Sequence, residues 1–363
     1  MSILDLSETG NQPMMVDDLY IIHNGEIFNY IELRKELEQV GERFFSNTDT
    51  EVILRLYKKY GSLSFSRLNG MWAFIIVDTQ NKKITISRDR FSIKPLFYYK
   101  DNQKIYFSSE IKQLLPLLNT RNIDQDIIYK FLKQSITDFN EHSFFKEIMK
   151  IKPMTNLIID MSTGEIKEER YWNYEINEFR DSKSALFNFK ELLIDSINIR
   201  LRSDVEIGSL LSGGLDSSAI SILAHKLSLK RFQTFSIVSE EKKFSEEYFI
   251  DLLVKSANIK NNKIILNSND IPNKIDDVIF HQDEPFGSFS IIAQYLIFER
   301  IHNKFDIKVV LSGQGGDETM MGYLKYFFFY LDHLKKQFRF DLIIKELLAS
   351  LINGTVVLQN KLS

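Results

Sequence analysis

The sequence predicts a two-domain α/β protein with an antiparallel first part and a second part built on a parallel sheet. A chain of 363 residues is longer than one average domain. Residues 71–90 (MWAFIIVDTQNKKITISRDR) carry two β-rich runs around a polar turn, which indicates a hairpin. Beyond residue 205, apolar strand-like runs alternate with helical periods, as is typical of parallel strands wrapped by helices. The polar stretch 173–184 is the predicted boundary between the two domains.

Two more elements can be predicted in the first part. Residues 49–60 (DTEVILRLYKKY) place their apolar side chains on one helical face, and Asp49 stands where an N-cap residue is expected. A second hairpin is predicted around residues 160–164, from a strand at 156–159 to a run that ends at 171–172.

The second part contains four predicted strands and several predicted helices. The strands cover residues 205–211, 232–238, 263–266 and 307–311, with helices at 217–229 and 245–257 and two further helical stretches before the last strand. The aromatic run 326–331 is too short to span a bilayer and is expected to lie in a buried helix.

Composition excludes several classes of site and partner. The formal charge of −3 offers no electrostatic case for binding nucleic acid or an anionic membrane surface. The absence of cysteine excludes disulfides, thiolate metal sites and a cysteine nucleophile within this chain. The first residues lack the pattern of a signal peptide, and no apolar run reaches 18 residues, so a cytoplasmic protein is expected.

The strongest motif is residues 210–218, LLSGGLDSS, which follows a predicted strand and opens a predicted helix. A parallel sheet forms its ligand crevice at such a position. Paired glycines let backbone N–H groups point inward, while hydroxyl donors and the helix N-terminus favour an anion. The motif therefore predicts a phosphate or pyrophosphate site made by Ser212, Gly213, Gly214, Ser217 and Ser218.

Asp216 within this motif would repel phosphate, but it fits the site if it holds Mg²⁺ that bridges to the phosphates. The alternative interpretation is a Gly-Gly turn followed by an ordinary helix cap. No Gly-Lys-Ser/Thr follows, so the motif is not a Walker loop. It resembles instead the loop of PP-loop ATP pyrophosphatases, which release pyrophosphate while adenylating a carboxyl or carbonyl group.

Two later segments resemble the synthetase domain of the glutamine-hydrolysing asparagine synthetase family. Residues 281–286 (HQDEPF) are similar to its WHQDEP segment, and residues 311–318 (LSGQGGDE) to its SGEGxDE segment. The resemblance implies that ATP is bound with Mg²⁺ on Asp216 and Asp317. It also implies that four further residues contact the nucleotide, namely Leu211, Ile237, Ser312 and Gly313.

The first part resembles the glutamine amidotransferase type 2 domain of the same family. The matching segments are 24–30 (NGEIFNY), 46–51 (SNTDTE), 88–98 (RDRFSIKPLFY) and 107–112 (FSSEIK). By this resemblance, Asn24 and Gly25 would form an oxyanion hole, and Glu26 and Asp49 would hold the amino group of glutamine. The implied fold is an incomplete αββα N-terminal-nucleophile sandwich over 1–172, followed by a Rossmann-like PP-loop domain over 180–363.

Three features depart from the family pattern. The family's glutaminase nucleophile is an N-terminal cysteine, whereas this chain has none and its first residues align with an internal family segment. Gln314 stands where many relatives carry glutamate, and an amide cannot act as a general base. The chain also ends at Ser363, before the family's long C-terminal helical region. We therefore expect truncation at both ends and no glutaminase activity from this polypeptide.

The resemblance implies ATP-dependent amidation of aspartate, or of a related carboxylate, with glutamine-derived ammonia through an acyl-adenylate. Two alternatives are left open by the departures. One is a non-catalytic fragment that retains at most nucleotide binding, and the other is a synthetase that uses free ammonia. Small-molecule substrates are the expected partners, without nucleic acid or membrane, and a homodimer is left open.

Overall fold

The computed structural model describes residues 3–176, 181–228, 232–239, 246–266 and 271–352. Residues 177–180 of the predicted boundary lie outside the described residues. The N-terminal unit contains β1 (Met14–Val16), β2 (Leu19–Ile27), α1 (Tyr30–Gln39), α2 (Asp49–Tyr60), β3 (Gly70–Asp78), β4 (Lys83–Arg88), β5 (Phe97–Lys100), β6 (Ile105–Ser108), α3 (Gln125–Gln134), β7 (Ile148–Lys150), β8 (Thr155–Asp160) and β9 (Ile166–Arg170).

Two antiparallel sheets stack in this unit, with strand orders β1-β2-β3-β4-β8-β9 and β6-β5-β7. The alternation of side chains along β3 explains the layers, because successive residues of a strand point to opposite faces. Trp72, Phe74 and Ile76 pack against α1 and α2, whereas Ala73 and Ile75 pack towards the second sheet. Both predicted hairpins are confirmed, as β3–β4 and β8–β9.

Helix α2 spans Asp49–Tyr60, the range that the sequence predicts, but its cap differs from the expectation. The side chain of Thr48, and not that of Asp49, accepts the N–H of Glu51 at 3.1 Å. Asp49 is turned inward, where its Oδ2 accepts the N–H of Ile27 at 2.7 Å. The prediction of Asp49 as a simple cap is wrong, because a buried backbone donor of β2 needs its carboxylate.

The C-terminal unit is a parallel sheet wrapped by helices, as predicted. Its elements are α4 (Ser182–Arg200), β10 (Ile207–Leu210), α5 (Leu215–Leu227), β11 (Gln233–Ser239), α6 (Glu247–Ala257), β12 (Lys260–Leu266), α7 (Ile275–Gln282), α8 (Phe289–Lys304), β13 (Val309–Leu311), α9 (Gly316–Met320), α10 (Leu324–Lys336) and α11 (Phe340–Ile352). The strand order is β12-β11-β10-β13, and every pairing is parallel. Since β10 and β13 are neighbours, the segments that follow them meet at one edge of the sheet.

The aromatic run 326–331 does lie in a helix, α10, but the expectation that this helix is buried is wrong. Phe328 and Phe329 are 53% and 65% exposed, while Leu334 is buried. Hydrophobicity alone does not bury a side chain, because burial requires another element to pack against it. None of the helices in the described part of the chain combines the length and the hydrophobicity that crossing a membrane requires.

Two acidic residues between α7 and α8 join the two units. Asp283 Oδ2 accepts the N–H of Ile111 at 2.8 Å, and Glu284 Oε1 accepts the N–H of Phe144 at 2.8 Å. Each carboxylate also pairs with a lysine of the N-terminal unit, Lys112 at 3.1 Å and Lys150 at 3.2 Å. These contacts hold residues 111–112, 144 and 150 of the N-terminal unit against the C-terminal unit.

A second junction lies near the start of α1. The guanidinium of Arg202 donates to the carbonyl of Phe28 at 2.7 Å and forms a bidentate pair with Glu32 at 2.6 Å on each arm. Asp204 Oδ2 accepts the N–H of Asp5 at 2.8 Å. The segment just after α4 is therefore held against the end of β2, where Asn24, Gly25 and Glu26 lie.

Candidate nucleotide and amidotransfer sites

The predicted phosphate loop, residues 212–218, follows β10, which ends at Leu210, and continues into α5, which begins at Leu215. Gly213 has φ +85°, a conformation that residues with a side chain rarely adopt. The turn therefore brings the N-terminus of α5 to the carboxyl end of the parallel strands, where an anion is favoured.

Serine hydroxyls hold this loop in shape. Ser217 Oγ accepts the N–H of Ser212 at 3.2 Å and lies 2.8 Å from Ser212 Oγ. Ser218 Oγ donates to the carbonyl of Gly214 at 2.5 Å. Ser217 and Ser218 are buried, whereas Ser212 is exposed. The two helix serines thus stabilise the turn from its buried side, whereas Ser212 is accessible to solvent.

The segment after β13 packs directly on the phosphate loop. A Cβ added to Gly313 would lie 2.9 Å from the backbone nitrogen of Ser217, and one added to Gly316 would lie 2.6 Å from Asp216 Oδ2. The parallel pairing of β10 and β13 accounts for this meeting. The structure thus brings the two motifs that the sequence singles out, 212–218 and 312–317, into contact at one sheet edge.

Asp216 and Asp317 occupy the first turns of α5 and α9, which start at this edge. The backbone of Gly316 approaches the carboxylate of Asp216, and the carboxylate of Asp317 packs against Gly322. Among the described residues, no group of three or more His, Cys, Asp or Glu side chains is arranged to hold a metal. A pair of carboxylates suits Mg²⁺ when phosphate oxygens and water complete its coordination.

The remaining predicted nucleotide residues are placed differently. Leu211 is 2% exposed and packs with Val238 and Ile250, whereas Ile237 is half-buried in another cluster, beside α8. The structure does not bring the side chains of Leu211 and Ile237 together. Ser312 follows β13, and its Oγ accepts the N–H of the exposed Gln314 at 3.4 Å.

The second predicted site is formed by β2 and the start of α2. Asn24, Gly25 and Glu26 are consecutive residues of β2, and Asp49 joins them through its hydrogen bond to Ile27. Asn24 Nδ2 donates to Ser109 Oγ at 3.2 Å. The predicted oxyanion-hole residues and the predicted carboxylate pair therefore meet at the C-terminal end of β2, where the start of α2 contributes Asp49.

Glu26 has an unusual electrostatic environment. Burial, reinforced by the neighbouring carboxylate of Asp49, raises the pKa of Glu26 to about 8, while Lys94 opposes the rise. Glu26 is 7% exposed and Asp49 is 5% exposed. A buried pair of carboxylates favours a bound cation, which would remove the repulsion between them.

The raised pKa of Glu26 makes folding stability depend on pH. The folded state retains a proton that the unfolded state loses above about pH 4.5, so the free energy of unfolding falls as pH rises from about 4.5 towards 8. The slope for one proton is about 1.4 kcal/mol per pH unit. Between pH 5.5 and 7.5 we expect the wild-type protein to lose about 2–3 kcal/mol relative to Glu26→Gln, as measured by urea denaturation.

The matched control for this pH dependence is Glu8→Gln, which removes an exposed carboxylate. This variant should keep the wild-type difference between the two pH values. Equal pH slopes for the wild-type protein and Glu26→Gln would contradict a buried, proton-retaining Glu26.

Three structural roles were not identified from the sequence. Asp283 and Glu284 lie in the segment 281–286, but their hydrogen bonds reach the N-terminal unit, and no local sequence pattern predicts such contacts. Asp89 is fully buried and accepts four backbone N–H groups, which the letters of RDRFSIKP do not reveal. Ser236 lies in β11, and its hydroxyl donates to the carbonyl of Leu211; this contact between neighbouring strands has no local signal in the sequence.

Each of the two structural units matches a known protein family. Residues 1–172 match a family described as glutamine amidotransferase domain, and residues 188–362 match one described as asparagine synthase. A protein of Methanocaldococcus jannaschii, provisionally named asparagine synthetase (glutamine-hydrolysing) 2, is 37% identical over 360 residues, covering 93% of this chain and 68% of that protein. Asparagine synthetase (glutamine-hydrolysing) 1 of Bacillus subtilis is 34% identical over 328 residues, covering 89% of this chain and 51% of that protein.

The chain thus spans about two thirds of one relative and about half of the other. Both relatives carry the name asparagine synthetase (glutamine-hydrolysing), and the two matched family regions follow the order of the two structural units. The chain belongs to the glutamine-hydrolysing asparagine synthetase family.

Proposed function

We propose that this polypeptide carries the ATP-dependent half of a carboxylate amidation in which ammonia displaces AMP from an acyl-adenylate. The observation that carries this proposal is the contact between the loops 212–218 and 312–317 at the carboxyl edge of a parallel sheet. Such an edge is where open α/β sheets bind nucleotides. The named relatives favour amidation over the alternative of a non-catalytic nucleotide-binding fragment.

The roles of the loop residues follow from the chemistry of adenylation. An acceptor carboxylate oxygen attacks the α-phosphorus of ATP, and the bond to the β-phosphate oxygen breaks, releasing pyrophosphate. The N–H groups at the start of α5 and the hydroxyl of Ser212 would stabilise the departing negative charge. Ammonia then attacks the acyl carbon, loses a proton and expels AMP.

We assign Mg²⁺ to Asp216 and Asp317, which lie at the same edge as the phosphate loop. The ion would neutralise charge on the leaving pyrophosphate. The adenine end of ATP is proposed to lie near the ends of β10 and β11, by Leu211 and Ile237, with Ser312 and Gly313 on the other side of the loop. Gln314 occupies the position proposed to face the reacting carboxylate.

The acceptor is proposed to be aspartate or a related carboxylate, and the ammonia to derive from glutamine. Glu26 and Asp49 would bind the amino group of glutamine, since a buried carboxylate pair favours a cation. Asn24 and Gly25 would donate hydrogen bonds to the oxyanion. Because this chain has no cysteine, the nucleophile for that hydrolysis would have to come from outside this sequence, and the purified polypeptide alone should not release glutamate from glutamine.

The nucleotide assignment can be tested with Asp216→Ala. We expect this variant to weaken ATP binding in the presence of Mg²⁺ by at least about tenfold, or 1.4 kcal/mol, as measured by isothermal titration calorimetry. Asp276→Ala is the matched control, because Asp276 is an exposed acid in the first turn of a different helix, α7. Unchanged ATP affinity in Asp216→Ala would remove the assignment of this loop.

A further inference from the structure

A line of polar side chains lies under the phosphate loop, inside the parallel sheet. Strand β11 is central and is covered by helices, so apolar residues are expected along it. Thr234 is nevertheless fully buried there and Ser236 is 1% exposed. Both hydroxyls lie beside Asn261 of the neighbouring strand β12, with Oγ1 of Thr234 at 2.9 Å and Oγ of Ser236 at 3.1 Å from its Oδ1. A buried hydroxyl costs free energy unless it is hydrogen-bonded, so the partners of these two groups decide what they stabilise.

Ser236 also reaches the phosphate loop itself. Its hydroxyl donates to the carbonyl of Leu211 at 2.6 Å. The N–H of Ser212 belongs to the same peptide group and donates to Ser217 Oγ at 3.2 Å. The peptide that opens the loop is therefore clamped at both ends, by Ser236 of β11 and by Ser217 of α5, and its plane cannot rotate without breaking one of these bonds.

The hydrogen-bonding capacity of these groups gives the network a direction. A serine hydroxyl has one proton, so Ser236 cannot donate to Leu211 and to Asn261 at the same time. The Nδ2 atom of Asn261 is buried without a hydrogen-bond partner among the residues that the structure describes. The oxygen and nitrogen of an amide have the same shape, and the opposite orientation of Asn261, with Nδ2 towards the two hydroxyls, satisfies all of these groups: Asn261 donates to Ser236, and Ser236 is free to donate to Leu211.

We propose that Ser236 and Asn261 are positioning residues for the phosphate loop. Asn261 orients the hydroxyl of Ser236, and Ser236 fixes the peptide between Leu211 and Ser212, so that the loop's N–H groups point at the pyrophosphate end of the nucleotide. This inference rests on the proposed function of the loop. It adds two residues from neighbouring strands to a site that is otherwise made by the segments after β10 and β13.

The test uses inorganic pyrophosphate with Mg²⁺, because this ligand engages the loop without the base. Ser236→Ala should weaken pyrophosphate binding by about tenfold, as measured by calorimetry on the full chain. Thr234→Val is the matched control, since it removes a hydroxyl of the same strand, face and network that does not contact the loop. The control should bind within about twofold of the wild-type protein. Equal binding by Ser236→Ala and Thr234→Val would overturn the proposal.

A second variant tests the direction of the network and keeps the proposal falsifiable if Ser236→Ala fails to fold. In Asn261→Asp the side chain keeps its shape, and its ionised carboxylate can only accept, so it attracts the proton of Ser236 away from Leu211. Pyrophosphate binding should weaken by at least about fivefold. Wild-type affinity in Asn261→Asp would show that Asn261 does not orient Ser236.

The two proposals fail in different ways. A wild-type protein that binds neither ATP nor pyrophosphate would overturn the proposed function together with this inference. A wild-type protein that binds both ligands and loses ATP affinity in Asp216→Ala, but is insensitive to Ser236→Ala and Asn261→Asp, would leave the proposed function standing and overturn the positioning role alone.

Discussion

Replacing Gly316 by alanine is expected to weaken ATP binding in the presence of Mg²⁺ by about 100-fold, which corresponds to about 2.7 kcal/mol. The added Cβ would lie 2.5 Å from Cγ and 2.6 Å from Oδ2 of Asp216, closer than Cβ atoms approach other groups. The pairing of β10 with β13 and the start of α5 directly after the loop hold both backbones in place, so the side chain of Asp216 is the part that must move. The carboxylate of Asp216 would have to leave its position. Calorimetric titration with ATP measures the loss.

The control for this prediction is the neighbouring glycine. A Cβ on Gly315 would meet no atom within 4 Å, and asparagine adopts a positive φ, here 89°, at a lower cost than most residues with a side chain. Gly315→Asn should therefore bind ATP within a fewfold of the wild-type protein. Normal ATP binding by a folded Gly316→Ala variant would show that the close approach to Asp216 is dispensable.

Replacing Asp89 by alanine is expected to lower the free energy of unfolding by about 3–5 kcal/mol. Asp89 is fully buried, and its two carboxylate oxygens accept N–H groups from Trp72, Phe91, Ile93 and Lys94 at 2.9–3.2 Å. Truncation leaves these four donors without their acceptor, and a buried unpaired donor costs the full price of its desolvation. Urea denaturation followed by circular dichroism measures the change.

Asp101→Ala provides the contrast for Asp89. Asp101 accepts two backbone N–H groups, from Gln103 and Lys104, in an exposed turn where water can replace the lost carboxylate. Its removal should leave the unfolding midpoint almost unchanged. Equal midpoints for the Asp89 and Asp101 variants would mean that burial does not set the strength of these bonds.

The loop that Asp89 stabilises also affects the electrostatics of the predicted amidotransfer site. The backbone bond from Lys94 to Asp89 places Lys94 where it opposes the rise in the pKa of Glu26. Arg88 reinforces the same turn by donating to the carbonyls of Ser92 and Lys94. Loss of Asp89 should therefore disturb the charge balance at Glu26 as well as the fold.

Features with a local cause could be predicted from the sequence. Helix 49–60 has an apolar face of the correct period, and a glycine follows its end, so its range is confirmed to the residue. The four parallel strands were also found, although β12 begins at Lys260, three residues before the predicted start. Strand ends depend on pairing with β11, and residues 260–262 are polar residues that carry no strand signal of their own.

The sequence by itself determined the class of each unit and the family, and it singled out residues 212–218 as the predicted phosphate loop, because periodicity and motif letters are carried by neighbouring residues. Only the tertiary structure decided which residues act across distance. In the structure Asp49 bonds to the backbone of β2 and does not cap α2, and Asp283 bonds to the N-terminal unit. Phe329 is exposed, and the backbone of Gly316 lies against Asp216. Each of these outcomes depends on packing between segments that are distant in the chain, and no local pattern encodes such a contact.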